Sequence, residues 1–298
     1  MLIPPSVLMI VWCVLTEISI GKMFLAGVIP GLLAAGGMVV YVVIAAVLQP
    51  ELVGESRRVA TGAVGADVSA APHFVPPVDD QPIGAMLFST LLVILLVAGT
   101  LGAIWLGVCT PTEGASVGAI GSLILALLKG IKPREIWQVV LDVGRTCGPL
   151  LLLLFCAQLY SRVLAMTGFT EAAKAFLLST GAGTWGILAI MVGIWFVLGC
   201  LIDSISIILL TVPIFAPIAV HLGFDPLAFA IMGILAIETG LLTPPFGILV
   251  FTVKAAVPDR SVTLAEIFRG SVPYWIVLLG VVAALAMFPK LATFLPSL

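Results

Sequence analysis

Apolar stretches separated by short polar breaks run the length of the chain, and their lengths fall into two kinds. A helix that crosses a hydrocarbon core needs about 20 apolar residues, whereas runs of about 10–14 suit broken or re-entrant segments. Residues 23–48, 84–107, 146–166 and 272–288 have the length of spans. Residues 7–15 read as a half-helix ended by Thr16-Glu17, and 114–128 as a short apolar helix that follows Thr110-Pro111-Thr112-Glu113. Residues 135–145 are amphipathic and predict a helix lying along the membrane interface. The one long polar segment, residues 49–83, carries Glu51, Glu55, Arg57, Arg58, Asp67, Asp79 and Asp80 with a diproline at 76–77 and reads as an extramembrane linker.

Two stretches break the simple pattern. Around 186–220, two apolar limbs flank Gly199-Cys200-Leu201-Ile202-Asp203-Ser204, which predicts a re-entrant hairpin with a polar tip. Around 227–257, two short halves are separated by Thr243-Pro244-Pro245-Phe246-Gly247, where prolines without N–H groups and a glycine interrupt one helix in mid-membrane.

Composition settles the solvent. Hydrophobic residues make up 61% of 298 positions, charged residues 9%, and the mean hydropathy is +1.28. A soluble domain carries about 25% charged residues, so most of this surface faces lipid. The net charge of −2 and the lack of a basic tract give no reason to expect nucleic acid. Lys129, Lys132 and Arg134 make the densest positive patch and mark a cytoplasmic loop. The five cysteines sit singly in apolar runs and read as small packing residues.

The chain also carries an internal echo. Pro4-Pro5 precedes a short apolar helix, then Phe24, Gly27, Pro30 and a long span; Pro244-Pro245 precedes a short apolar helix, then Phe268, Gly270, Pro273 and a long span. Paired broken helices in equivalent places of two halves are the best sequence pointer to a transporter site. The organisation expected is the tail of a first inverted repeat at 1–48, the linker at 49–83, and a complete second repeat at 84–298.

These residues resemble a known family. Ile3-Pro4-Pro5-Ser6, Ser19-Ile20-Gly21 with Phe24-Leu25-Ala26-Gly27 and Pro30-Gly31, and Thr110-Pro111-Thr112-Glu113 follow the pattern of the large permease of TRAP (tripartite ATP-independent periplasmic) transporters. So do Gly199 with Asp203 and Thr211-Val212-Pro213-Ile214, and the run from Glu238 through Thr239, Gly240 and Thr243 to Gly247. The resemblance covers nearly everything outside the linker and corresponds to the C-terminal two-thirds of such a permease. It implies an all-α integral membrane protein of elevator type, with inverted repeats each bearing a re-entrant hairpin and an unwound helix. It further implies Na⁺-coupled import of small organic anions such as C4-dicarboxylates across the bacterial inner membrane. The partners implied are a small four-helix membrane subunit and a periplasmic substrate-binding protein. The family's pattern extends upstream of Met1 with a Ser-Gly-rich first hairpin, so the expectation is a truncated first repeat: a C-terminal fragment, one piece of a split permease, or a miscalled start.

The site chemistry follows. A Na⁺ ion in the membrane needs several oxygens with little net charge, which unwound carbonyls and neighbouring Ser, Thr and Asp side chains supply; an anionic substrate needs free N–H groups at positive helix ends. A hairpin tip facing a broken helix offers both. The expected ion ligands are Asp203, Ser204, Ser206 and Thr243 with backbone near Gly199 and Pro244, and the expected substrate cavity is lined by Pro245, Phe246, Gly247 and Glu238, with Pro4, Pro5 and Ser6 as half of a second site. Two readings of Asp203 stand side by side, ion ligation and hydrogen bonding to the hairpin's own backbone; Glu238 divides in the same way between structure and function. Glu113 reads as a helix cap. An intramembrane enzyme is the rival class. It lacks a second intramembrane Asp to pair with Asp203, a His-Glu-x-x-His cluster, and a Ser/His pair suited to nucleophilic attack. No nucleotide-binding loop is present and no cofactor is expected beyond the coupling ion.

Overall fold

The computed structural model describes residues 2–48, 83–257 and 262–298; the expected linker at 49–83 lies, but for its last position, outside them. Every regular element among the described residues is helical, as a lipid solvent requires, because a helix satisfies its backbone polar groups within one segment. The helices are α1 (Val7–Thr16), α2 (Ile20–Leu48), α3 (Ile83–Trp105), α4 (Pro111–Leu128), α5 (Pro133–Met166), α6 (Phe169–Ser179), α7 (Gly183–Gly199), α8 (Ser204–His221), α9 (Pro226–Gly240), α10 (Ile248–Ala256), α11 (Leu264–Met287) and α12 (Lys290–Thr293), with a closing 3₁₀ turn at Leu295–Ser297. Six of them, α2, α3, α4, α5, α8 and α11, are long and apolar enough to cross a membrane.

Local chemistry fixes where these helices start. Thr110 and Glu113 form a reciprocal capping box at α4, and Thr263 and Glu266 form another at α11. Asp225 accepts from Leu227 N and Ala228 N at 2.9 and 3.0 Å at the head of α9. The predicted cap role of Glu113 is what the structure shows, with its Oε2 accepting from Thr110 N at 2.7 Å.

Besides α4, which the sequence pattern predicts as a short helix but which is long enough to cross a membrane, two stretches differ from the sequence reading. Residues 135–145 do not form a separate interfacial helix; they continue into α5, an unbroken helix of 34 residues. Pro149 sits inside it, and a single proline removes one backbone hydrogen bond without ending a helix whose flanks propagate well. At 1.5 Å per residue this helix is roughly 50 Å long, well beyond a hydrocarbon core of about 30 Å, so its polar first turns extend past the apolar slab. The second difference is α6, which the apolar pattern did not suggest. It meets α7 at 118° across a short break flanked by Gly181 and Gly183, both at positive φ.

The centre of the molecule is α9. Its residues from Ala228 to Ile237 are buried on every face, the expected fate of a helix apolar all round. α7, α8, α2 and α11 surround it. Trp12, Trp195, Phe215 and Phe229 form one aromatic cluster with ring centroids 5.1–6.3 Å apart. Gly233 makes room for it, since a Cβ there would stand 2.7 Å from Trp12. Trp195 Nε1 donates to Thr211 Oγ1 at 2.8 Å, joining the two limbs of the α7–α8 hairpin through a buried polar pair. Outside this core, α3, α4 and α5 present Leu, Val, Ile and Phe outward, a surface that calls for cover by lipid or by other protein.

The tightest point is where α7 meets α9. A Cβ on Gly199 would lie 2.5 Å from Ile237 O and 2.9 Å from Gly240 Cα, and one on Gly240 would lie 2.7 Å from Gly199 Cα. Backbone touches backbone there, the small-residue mode of helix association in lipid. Gly199→Ala therefore lowers stability by about 1–3 kcal/mol, the usual cost of overpacking, whereas Gly193→Ala on the same helix, whose Cβ meets nothing within 4 Å, leaves it unchanged or slightly higher. Thermal unfolding of the purified protein in detergent checks the pair, and equal melting of both variants would contradict the contact. Thr211→Val strands the buried Trp195 N–H and costs about 1–3 kcal/mol, while Thr211→Ser keeps the bond and most of the stability; the same melts separate them.

Candidate ion and substrate site at the hairpin tip

The α7–α8 tip is built from its own backbone first. After Gly199, Leu201 N and Ile202 N both donate to Leu198 O at 2.9 Å, closing α7 in a tight turn. Asp203 then starts α8. Its Oδ2 accepts from Ser206 N at 2.9 Å and its Oδ1 from Ser206 Oγ at 2.7 Å, so the carboxylate is an N-cap. Of the two readings of Asp203, the backbone-bonding one is directly visible; because the residue is also exposed, its remaining lone pairs stay available to a ligand.

Next to the tip stands the end of α9. Ser204 is buried, and its Oγ donates to Glu238 Oε1 at 3.4 Å. Together with Gly199 against Gly240, this is the only side-chain hydrogen bond joining tip and broken helix among the described residues. Beyond Gly240 the helix tightens, with Leu242 N on Thr239 O at 3.1 Å and Thr243 N on Gly240 O at 2.9 Å. Thr243 is half-buried and donates its hydroxyl to Thr239 O at 3.0 Å. The cis Pro244-Pro245 pair and Phe246 are exposed, and Gly247 is buried at φ 37. That φ and Phe268 Cε1, 2.6 Å from where a Cβ would be, both require glycine. α10 then begins without any side-chain cap, leaving a positive helix end with free N–H groups at the break.

Pro4, Pro5 and Ser6 reach the same level of the molecule by another route. α1 lies parallel to α8 and antiparallel to α9: its final residues Leu15, Thr16 and Glu17 share a cavity of about 500 Å³ with Val220 near the end of α8 and Pro226 at the start of α9. Its opposite end is thus directed toward the hairpin tip and the break. Pro4 is buried, Pro5 exposed, and Ser6 buried as the cap of α1, accepting from Met9 N at 3.5 Å. Pro4-Pro5 is cis as well. Among the described residues no hydrogen bond joins Pro4–Ser6 to the tip or the break.

Each break is anchored to the span that follows it. Leu242 O, two residues before the second diproline, accepts from Ser271 Oγ of α11 at 3.0 Å. Leu2 O, two residues before the first, lies against α2 where a Cβ on Gly27 would stand only 2.6 Å away. The sequence reading missed Gly240 and Ser271. A small residue in an apolar helix is a weak signal in itself, and only the fold shows that Gly240, like Gly199 and Gly27, meets a second backbone.

Comparison with known proteins gives this geometry its context. Residues 1–291 match the family described as "Tripartite ATP-independent periplasmic transporter, DctM component". Over 298 residues the chain is 30% identical to the C4-dicarboxylate TRAP transporter large permease protein DctM of Pseudomonas aeruginosa, covering 99% of this chain and 64% of that protein. It is 30% identical over 302 residues to the ectoine/5-hydroxyectoine TRAP transporter large permease protein UehC of Ruegeria pomeroyi, covering all of this chain and 64% of the relative. A third, the sialic acid TRAP transporter large permease protein SiaM of Vibrio cholerae, is 27% identical over 301 residues, again covering 64% of its length. The chain thus spans about 64% of the length of these curated relatives. With a multi-span helical fold, a hairpin tip seated on a broken helix, and a family match across all but its last few residues, the chain belongs to the DctM family of TRAP transporter large permeases.

Proposed function

We propose that this chain is the membrane-embedded part of a Na⁺-coupled importer of small carboxylates, working in the inner membrane with a small membrane subunit and a periplasmic substrate-binding protein. The observation that carries the reading is the seating of a hydroxyl- and carboxylate-bearing hairpin tip on a helix break that leaves the N-terminus of α10 uncapped. Oxygens of Asp203, Ser204, Ser206 and Thr243, with carbonyls of the unwound turn near Gly199 and Pro244, are the cation ligands proposed. Coordinating groups of this kind and positive half-helix ends in one place are the pattern of secondary transporters. The N–H groups at the head of α10, beside Pro245, Phe246 and Gly247, are the carboxylate cradle. The compounds in the relatives' names (C4-dicarboxylates, ectoine, sialic acid) differ in size and charge but share a carboxylate. A backbone cradle suits that common group, and the choice among carboxylates then falls to the binding protein. The packed unit of α1, α7, α8 and α9 is the body that an elevator-type displacement would carry.

Ion binding is tested on the chain alone. A ligand that binds only the folded state stabilises it by about 2.7 kcal/mol at a concentration one hundred times its Kd, so Na⁺ raises the melting temperature above that in equimolar K⁺. A Thr243→Ala, Ser206→Ala double variant loses the difference. Identical melting of the wild type in the two salts sinks the cation site. Transport is tested in proteoliposomes holding the chain with its small subunit and binding protein, where carboxylate uptake that ignores the Na⁺ gradient contradicts the coupling.

The two readings of Asp203 separate by substitution. Asp203→Asn keeps a good cap and removes the charge, so stability in K⁺ stays near wild type while the Na⁺ shift shrinks. Asp203→Ala also loses the cap and costs about 1 kcal/mol in either salt. A Na⁺ shift in Asp203→Asn equal to that of the wild type assigns Asp203 to structure alone.

A further inference from the structure

A second cavity, remote from the tip, has the chemistry of a lipid headgroup site. It measures about 570 Å³ and opens between the C-terminal part of α2 and the N-terminal part of α11, lined by Tyr41, Ala45, Glu266, Arg269, Gly270 and Tyr274 among others. That volume is within the range of small-molecule sites, about 300–1,000 Å³. The rings of Tyr41 and Tyr274 meet edge to face at 5.4 Å and form one wall across the two spans. The other wall is deep because Gly270 contributes no side chain, and a Cβ there meets nothing within 4 Å.

The charges in this cavity are arranged in an unusual way. Glu266 and Arg269 are three residues apart on one helix, on the same face, where opposite charges commonly pair. They form no ion pair among the described residues. The capping box explains why: Glu266 Oε2 accepts from Thr263 N at 2.7 Å, which holds the carboxylate back toward the start of the helix. The neighbouring cation Lys254 is engaged with the carbonyl of Val262. Among the described residues the cavity therefore presents a guanidinium without an ion-pair partner and a carboxylate held by its capping box, beside two tyrosines.

The depth of the cavity in the membrane identifies the source of the ligand. α2 remains apolar outward to its end, with Val39, Val40, Val43, Val47 and Leu48 all exposed. Tyr41 lies seven residues before that end, roughly 10 Å of helix rise. Arg269 belongs to the second turn of α11. Tyrosine and arginine at this depth mark the boundary between hydrocarbon and headgroups, and the cavity continues into the apolar outer face of α2 along Val42 and Ala45.

We propose that this cavity binds one zwitterionic phospholipid bearing a primary amine, of the phosphatidylethanolamine type. Arg269 takes the phosphodiester through charge-assisted hydrogen bonds, Glu266 takes the ammonium, and an acyl chain runs along α2. A choline headgroup satisfies Arg269 but offers Glu266 no N–H donor. A glycerol headgroup brings a net negative charge to Glu266 and no cation.

Native mass spectrometry of the purified chain, supplemented with equal amounts of dioleoyl phosphatidylethanolamine, phosphatidylcholine and phosphatidylglycerol, reads this out. The ethanolamine lipid is retained about tenfold over the other two, the difference expected for one well-made charged hydrogen bond. Arg269→Ala removes the retained lipid, and Glu266→Gln, which preserves the capping box, brings ethanolamine and choline lipids to equal retention. Gly270→Leu fills the cavity at a position with open space; its melting matches wild type and its lipid is lost. Equal retention of all three lipids by the wild type, or undiminished retention in a well-folded Gly270→Leu, overturns the site. Displacement of the lipid by soluble glycerophosphoethanolamine at comparable concentration overturns the assignment to a bilayer lipid.

Discussion

The approach of Gly199 to Gly240 is the constraint on which the rest of the site depends. Two backbones come into contact there, the end of α7 on the end of α9, at a separation that excludes even a methyl group. In lipid no hydrophobic gain draws helices together, so close packing and interhelical polar contacts must hold them. The glycine contact supplies the first and Ser204 on Glu238 the second. Once α7 stops against α9, the turn from Cys200 to Asp203 has little freedom, and α8 must start beside the break. The aromatic cluster and the Trp195–Thr211 bond then fix the hairpin's limbs further along. A carboxylate such as Glu238 is costly inside a membrane unless it has a partner or reaches water; its place beside Ser204 at an exposed break meets that need.

Much of this was legible in the sequence because membrane helices obey simple length and composition rules. The long runs ending near Leu48 and Met287 became spans, and the diproline at 244–245 separates α9 from α10, since two residues lacking N–H groups cannot continue a helix. Less legible were features set by tertiary contact. The polar residues at 135–145 suggested a helix separate from the span at 146–166, yet α5 runs through both. α6 went unnoticed because Glu171 and Lys174, paired at 2.7 Å, dilute its apolar pattern. The role of Gly240 depends on what faces it, and nothing in its own neighbourhood along the chain encodes that. At the site, the residue types at the tip and the break could be read from their order, whereas the seating of one on the other required the fold.

The echo between the two diprolines also gains physical content. In each copy a carbonyl two residues before Pro-Pro is pressed onto the following span, against Gly27 in α2 and against Ser271 in α11. A break in a membrane helix exposes carbonyls that have lost their helical donors, and each must find a partner or a cavity. Where a serine is present it donates a hydrogen bond; where a glycine is present the backbone approaches closely. The same problem is solved by different residues, and Gly270, the counterpart of Gly27 in the echo, takes no part in it, since a Cβ there meets nothing within 4 Å.

The hydroxyls at the tip and the break share one further property. Ser206 Oγ donates to Asp203, Thr243 Oγ1 donates to Thr239 O, and Ser204 Oγ donates to Glu238. In each case the proton is committed to a neighbour in the protein, so the oxygen's lone pairs are directed away from that bond. A hydroxyl free to rotate must be reoriented before it can serve a cation. One whose proton is already held presents its acceptor side with no such cost, the same economy that preorganised dipoles bring to any charged site. The bonds that hold the hairpin and the break together thus also fix the direction of these three oxygens, so under the proposed cation site the structural and the ligating roles of Ser204, Ser206 and Thr243 coincide.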